Sequence, residues 1–203
     1  MVAPVSVTVE QLACQRGPRL LFRDLNFRIG AGQALSLEGP NGAGKTSLFR
    51  MIAGFIAPAA GTIAIGAVTE AEERGRAIGW LGHHDGAKPQ LTPREVLTFF
   101  ASLYRREADV TASLASVGLA TLGDLPCQYL SAGQKKRLAL ARLQLCARPV
   151  WLLDEPLAAL DADGKTRAAE FVKAHCRAGG IVIAATHEPL GIECERLVLG
   201  PAR

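Results

Sequence analysis

Eight consecutive residues, Gly39-Pro40-Asn41-Gly42-Ala43-Gly44-Lys45-Thr46, satisfy the phosphate-loop pattern G-x-x-x-x-G-K-[ST] at every fixed position. The chemistry such a stretch supports is capture of a nucleoside triphosphate. Glycines let the backbone wrap closely around a phosphate chain, so that successive N–H groups and the start of a following helix point at the anion. Lys45 adds a mobile cation for the β- and γ-phosphates, Thr46 offers a hydroxyl to Mg²⁺, and Ser47 reaches a neighbouring phosphate oxygen. Far along the chain, the apolar run Val150-Trp151-Leu152-Leu153 ends in Asp154-Glu155. Acids at the tip of a buried strand suit two tasks: Asp154 holds Mg²⁺ directly or through water, and Glu155 orients or deprotonates an attacking water. A third strand-like run, 181–185, delivers Thr186-His187, where His187 can hydrogen-bond the γ-phosphate and register its presence.

These groups need elements to position them. Residues 34–38 form a short apolar run before the loop, and after it Leu48, Met51 and Ile52 share one helical face, so the local order is strand, loop, helix. Upstream, Val5, Val7 and Val9 alternate with polar residues as in a half-buried strand, and 25–29 reads as a second. Further short strands are expected at 62–65 and 78–81. The character changes at Leu91: Thr92-Pro93-Arg94-Glu95 is a capping box with proline at the first helical position, followed by Val96, Leu97, Phe99, Phe100, Leu103 and Tyr104. A helix at 111–117 stops at Gly118, and a third opens at Ser131 and ends at Arg148-Pro149. The runs at 150–153 and 181–185 then read as doubly covered parallel strands, with their polar endings at the carboxyl edge where open α/β sheets bind ligands.

The chain has 203 residues and 49% hydrophobic composition, enough for a substantial core. No apolar run approaches the ~18 residues of a membrane-spanning helix, and no basic segment followed by a long apolar one opens the chain, so a cytoplasmic protein is expected. Cys14, Cys127, Cys146, Cys176 and Cys194 form no C-x-x-C pair and read as small hydrophobes. The net charge of +4 is modest. Lys135, Lys136, Arg137, Arg142 and Arg148 form a basic stretch that reads first as a solvated helix face and second as a phosphate or membrane contact.

With the phosphate loop, Leu130-Ser131-Ala132-Gly133-Gln134, Leu152-Leu153-Asp154-Glu155, Ala159-Leu160-Asp161 and His187 in that order, the chain resembles the ATP-binding subunits of ABC transporters over nearly its whole length. The resemblance implies an α/β, P-loop nucleoside triphosphate hydrolase fold with an N-terminal antiparallel β portion and an inserted helical lobe. It implies a single ATP-binding domain over 1–203, with 1–90 and 148–203 as nucleotide-binding core and 91–147 as helical signature lobe. It further implies ATP and Mg²⁺ as cofactors, with Lys45, Glu155 and His187 catalytic and Thr46 and Asp154 on the metal. A homodimer would close head to tail around two ATP molecules, Ser131 and Gly133 of one subunit completing the site of the other.

Within the family the chain is similar to ATP-binding subunits of the haem exporter used in cytochrome c maturation, through Leu12-Ala13-Cys14-Gln15-Arg16-Gly17, residues 81–88 and the signature helix. That similarity implies integral membrane transporter subunits as partners, no nucleic acid, and a peripheral position on the cytoplasmic face of the bacterial inner membrane. Two positions depart from the general pattern. His83 stands where most members place a glutamine on Mg²⁺ and water, and Arg16 stands where many stack an aromatic ring on adenine; a guanidinium can stack on a base with less purine preference. His83-His84 also admits a haem or metal role beside the plain loop reading. Transport of another substrate stays open, as does a soluble ABC-type ATPase acting on ribosomes or DNA. The latter usually carries two nucleotide modules or a coiled-coil insertion, and this chain has neither.

Overall fold

Alternating side chains sort the chain onto two sheets and a group of helices in a computed structural model that describes residues 5–82 and 86–200. Strands β1 (Ser6–Arg16), β2 (Arg19–Gly30) and, later, β4 (Ala60–Ile65) make an antiparallel sheet in the order β2-β1-β4. Both first strands run longer than the expected 5–9 and 25–29. Their alternation is interrupted because the β1–β2 register shifts between Val9 and Leu12, between Leu12 and Cys14, and between Cys14 and Gln15. Gln11 and Asp24 take φ of 47° and 53° at these irregularities, and the Gln11 N–H donates to Asn26 Oδ1 at 2.8 Å.

The second sheet is parallel throughout: β3 (Ala34–Glu38), β5 (Ile78–Leu81), β6 (Val150–Asp154), β7 (Ile181–Ala185) and β8 (Glu195–Val198), in the order β5-β6-β7-β3-β8. Its central strands are buried on both faces because successive side chains point to opposite cores. Val150, Leu152, Ile181 and Ile183 pack with α1 (Lys45–Ile52) and the antiparallel sheet. Trp151, Leu153, Val182 and Ala184 pack on the other side with α5 (Ala132–Cys146) and α6 (Ala162–Arg177). Each fully buried Val, Leu or Ile among them contributes roughly 1.5–3 kcal/mol. The short α2 (Ala71–Arg76), α6 and the edge strand β8 had no counterpart in the sequence reading.

Between β5 and β6 the chain leaves the sheet for α3 (Pro93–Leu103), α4 (Val110–Ser116) and α5, which share a third core of Val96, Leu97, Leu114, Val117, Leu138 and Ala141. The capping box that opens α3 is formed on both arms: the Glu95 N–H donates to Thr92 Oγ1 at 3.2 Å, and the Thr92 N–H to Glu95 Oε2 at 2.8 Å. The basic stretch is not a solvated face. Arg142 lies 5.0 Å from the Phe100 ring centroid and Arg148 lies 5.1 Å from that of Tyr104. Arg137 donates to the Val117 carbonyl at 3.3 Å, and Lys136 is buried. Arg137, Arg142 and Arg148 thus tie helical segments to one another, through ring faces and a helix-end carbonyl. Among the described residues no helix is long and apolar enough to cross a membrane.

The α/β fold with an antiparallel β portion and a helical insertion is as the sequence implied. Its consequence for chemistry is positional: β3, β6 and β7 all end on one edge of the parallel sheet, so residues 39, 154 and 186 start their loops side by side.

Candidate functional site

The loop that leaves β3 is shaped by close approach. Gly39 has φ 140°, and a Cβ there would lie 2.4 Å from the Leu199 carbonyl oxygen, so no larger residue passes this point. The loop closes on itself through the Ala43 N–H, which donates to the Pro40 carbonyl at 3.1 Å. Helix α1 then starts behind Gly44, at φ 105°, with no side chain capping it. Its first-turn N–H groups and the positive end of its dipole are therefore available to an anion at the loop. Lys45 folds back over the loop, donating to the carbonyls of Gly39 at 2.6 Å and Pro40 at 3.4 Å. Beneath, Cys14 of β1 is buried, which pushes its thiol pKa up; a hydrogen bond with the Ser47 side chain pulls the other way.

Across the cleft, the Thr46 hydroxyl donates to Asp154 Oδ2 at 3.3 Å, joining the first turn of α1 to the tip of β6. Glu155, next in sequence, has φ 48°, a left-handed conformation that a non-glycine residue adopts only when its surroundings impose it. Here the Glu155 N–H donates to the Ala185 carbonyl at 2.8 Å, extending the β6–β7 pairing by one residue as the chain turns away. His187 Nε2 stands 3.9 Å from Glu155 Oε1. The sheet edge thus assembles Lys45, Thr46, Asp154, Glu155 and His187 from three segments distant in sequence.

A cleft of about 510 Å³ lies between the loop, the acid pair and the β1–β2 hairpin, whose contribution is Arg16 and Leu21. Pro40, Asn41, Gly42, Gly44 and Ser47 line the loop side. Arg16, a candidate from the sequence, lines this cleft beside Leu21, which the sequence reading did not single out; the Gly17-Pro18 turn and the alternation along β2 were the available signals. His187 opens on an adjoining cavity of about 340 Å³ with Ser36, Glu38 and Thr186.

Ser131 and Gly133 do not line the cleft. Ser131 caps α5, its hydroxyl accepting from the Gln134 N–H at 3.2 Å while the Ser131 N–H donates to Gln134 Oε1 at 2.8 Å, and it is exposed. Gly133 abuts the loop of residues 155–161: a Cβ there would lie 2.6 Å from the Ala159 carbonyl oxygen. His83 and His84 lie outside the described residues.

A phosphate loop, an acid pair and a histidine on one edge of a parallel sheet, with a capped helix displayed on an inserted helical group, describe an ABC-type ATPase. The ABC transporter family pattern matches residues 22–158, and the chain belongs to that family as a transporter ATPase. It is 46% identical over 192 residues to the "Cytochrome c biogenesis ATP-binding export protein CcmA" of Rhodopseudomonas palustris (strain BisB5), a match spanning 94% of this chain and 96% of that protein. The protein of the same name from Brucella abortus (strain 2308) is 44% identical over 185 residues, covering 91% of this chain and 86% of its own length. Among solved structures, an ABC transporter ATP-binding protein of Pyrococcus furiosus superposes with TM-score 0.84 at 24% identity, covering 96% of this chain and 97% of that one; it bears on the fold alone. A bacterial Atm1-family ABC exporter with ATP bound gives TM-score 0.84 at 25% identity over 98% of this chain and 38% of that one.

Proposed function

We propose that this chain is the ATP-hydrolysing subunit that powers the export step of cytochrome c maturation, by which haem is made available for attachment outside the cytoplasmic membrane. One observation carries the reading: 46% identity along 94% of the chain to a protein named for that export, far above the 24–25% shared with ABC proteins of the same fold.

In this reading the loop from Gly39 to Ser47 holds the triphosphate through backbone N–H groups, and Lys45 exchanges its carbonyl partners for the β- and γ-phosphate oxygens. A hydroxyl and a carboxylate oxygen 3.3 Å apart, Thr46 Oγ1 and Asp154 Oδ2, are the hard donors that Mg²⁺ selects, so the residues fit that ion. Bound there, Mg²⁺ would supply neutralisation of charge between the β- and γ-phosphates. Glu155 takes the proton of the attacking water, and His187, beside it, hydrogen-bonds the γ-phosphate.

The exposed Ser131 and the nearby Gly133 serve the site of a second copy, so two chains close around two ATP molecules. Closure and reopening of that pair move the membrane subunits, which contact the lobe of residues 91–147. The chain is then peripheral, on the cytoplasmic face of the membrane, and the substrate is handled by its partners.

The test is a haem stain of c-type cytochromes in cells whose sole copy carries Lys45→Ala at wild-type protein level. Loss of covalent haem with b-type haem unchanged is expected. Normal staining would remove the cytochrome role and leave an ABC ATPase of another transporter.

A further inference from the structure

The hairpin between β1 and β2 brings two arginines to the mouth of the cleft. Arg16 and Arg19 are direct cross-strand partners flanking the Gly17-Pro18 turn. Directly opposed residues share one face of a ladder, and like charges so placed destabilise it. No ion pair relieves the repulsion: among the described residues neither guanidinium has a carboxylate partner, whereas Arg23, Arg76, Arg94, Arg167 and Arg196 each have one. Arg16 lines the cleft, and the tip of Arg19 overhangs the phosphate loop, its Nη1 lying 4.0 Å from where a Cβ on Gly42 would stand. Two unpaired cations thus flank a cleft built for a polyanion.

The base end of the cleft has an equally specific composition. The hairpin offers it a guanidinium plane and the aliphatic Leu21, with no aromatic ring, amide or carboxylate of its own. Stacking on a planar cation discriminates poorly among bases, since each has a π-face, whereas discrimination comes from hydrogen bonds to base edges.

We propose that Arg19 binds the phosphate chain and so completes, with Arg16 at the base-stacking position that the family resemblance implies, a two-arginine nucleotide clamp that grips the phosphates and tolerates the base. The inference rests on the reading of this cleft as the ATP site. It assigns Arg19, two residues before Leu21, a contact that no motif indicates.

The test is calorimetric binding to the purified full-length chain of three probes: MgATP, MgGTP and inorganic tripolyphosphate with Mg²⁺. Wild type should bind ATP and GTP within about fivefold of each other. Arg19→Ala should weaken all three probes by about five- to tenfold, less at high salt, and Arg19→Lys should recover most of the loss, since a phosphate accepts a point charge. Arg16→Ala should weaken both nucleotides by about threefold or more and change tripolyphosphate by less than about twofold. Both positions are exposed at a hairpin tip, and unchanged melting temperatures would verify folding. Tripolyphosphate affinity indifferent to Arg19→Ala, equal losses on all three probes in Arg16→Ala, or a preference for ATP over GTP of more than about fivefold in wild type would overturn the clamp. Failure of wild type to bind any of the three would instead overturn the reading of the cleft.

Discussion

Glu155 carries the most local information in this chain. It is an acid held at φ 48° by the bond from its N–H to Ala185, one residue beyond the Asp154–Thr46 contact and 3.9 Å from His187. A residue placed in a sparsely populated conformation persists because the surrounding sheet over-determines it, and such positions concentrate at working sites. If Glu155 is the base for water, Glu155→Gln removes the proton acceptor while keeping size and hydrogen-bonding reach. Turnover should then fall by about 100-fold or more with MgATP binding retained, measured as phosphate release beside equilibrium binding. Turnover within tenfold of wild type would take the role from Glu155.

Among the elements, the small α2 shows how a surface-like sequence can hold a structural hub. Arg74 is 6% exposed and donates to carbonyls at 3.1 Å (Met51), 3.3 Å (Ile63) and 3.4 Å (Ile52), and also to that of Thr69. Met51 and Ile52 end α1, so one guanidinium reaches the helix-end carbonyls, that of Met51 being shared with the Gly54 N–H at 3.1 Å, and ties them to β4. Burial lowers the Arg74 pKa, with Glu70 acting in the other direction. Arg74→Met keeps the volume but strands those carbonyls, and should cost about 2–4 kcal/mol, read as a lower denaturant midpoint. Loss below about 1 kcal/mol would show that water replaces the guanidinium.

Helix α6 is fastened to the sheet by His175, stacked on Trp151 with ring centroids 3.8 Å apart and planes 8° from parallel. Burial lowers the His175 pKa from its usual 6.5, outweighing the opposing influence of the backbone at Pro149 and Ile181, so the folded chain favours the neutral ring. The unfolded chain then binds more protons as pH drops. Stability from this site is complete above pH ~6.5 and is lost as pH falls through the lower, folded-state value. Denaturant midpoints measured from pH 7.5 down to pH 5 should decline, and less steeply in His175→Phe; equal slopes would exclude this ring as the cause.

The whole molecule leaves its signature helix start unused within one chain. Ser131 is exposed and outside the cleft, which is the expected arrangement if it completes the site of a second copy. In the Glu155→Gln background, MgATP should convert the chain to a dimer by sedimentation. Adding Ser131→Arg should abolish that shift while costing the fold only the cap, about 1 kcal/mol. A dimer that survives Ser131→Arg would place the shared surface elsewhere.

Most of the site was legible because its parts are contiguous: a phosphate loop is a backbone shape written in glycines, and an acid pair after four apolar residues marks a strand end. The capping box at Thr92 was legible for the same reason, since its partners lie three residues apart, whereas at Ser131 the helix start was read and the Gln134 arm of its box was not. The amino-acid sequence by itself therefore determined the chemistry available, the main strands around it and the family. It did not determine which distant groups meet. The length of β1 and β2 was hidden by register shifts, α6 by its sparse apolar stripe, and β8 by its position at the sheet edge with Glu195, Arg196 and Val198 outside the core. The Thr46–Asp154 contact, the Arg16–Arg19 pairing and the burial of Arg74 were decided by tertiary structure, because each depends on strand order and register. Those follow from how two sheets and α1 close over one shared core, a long-range packing solution that no local pattern encodes.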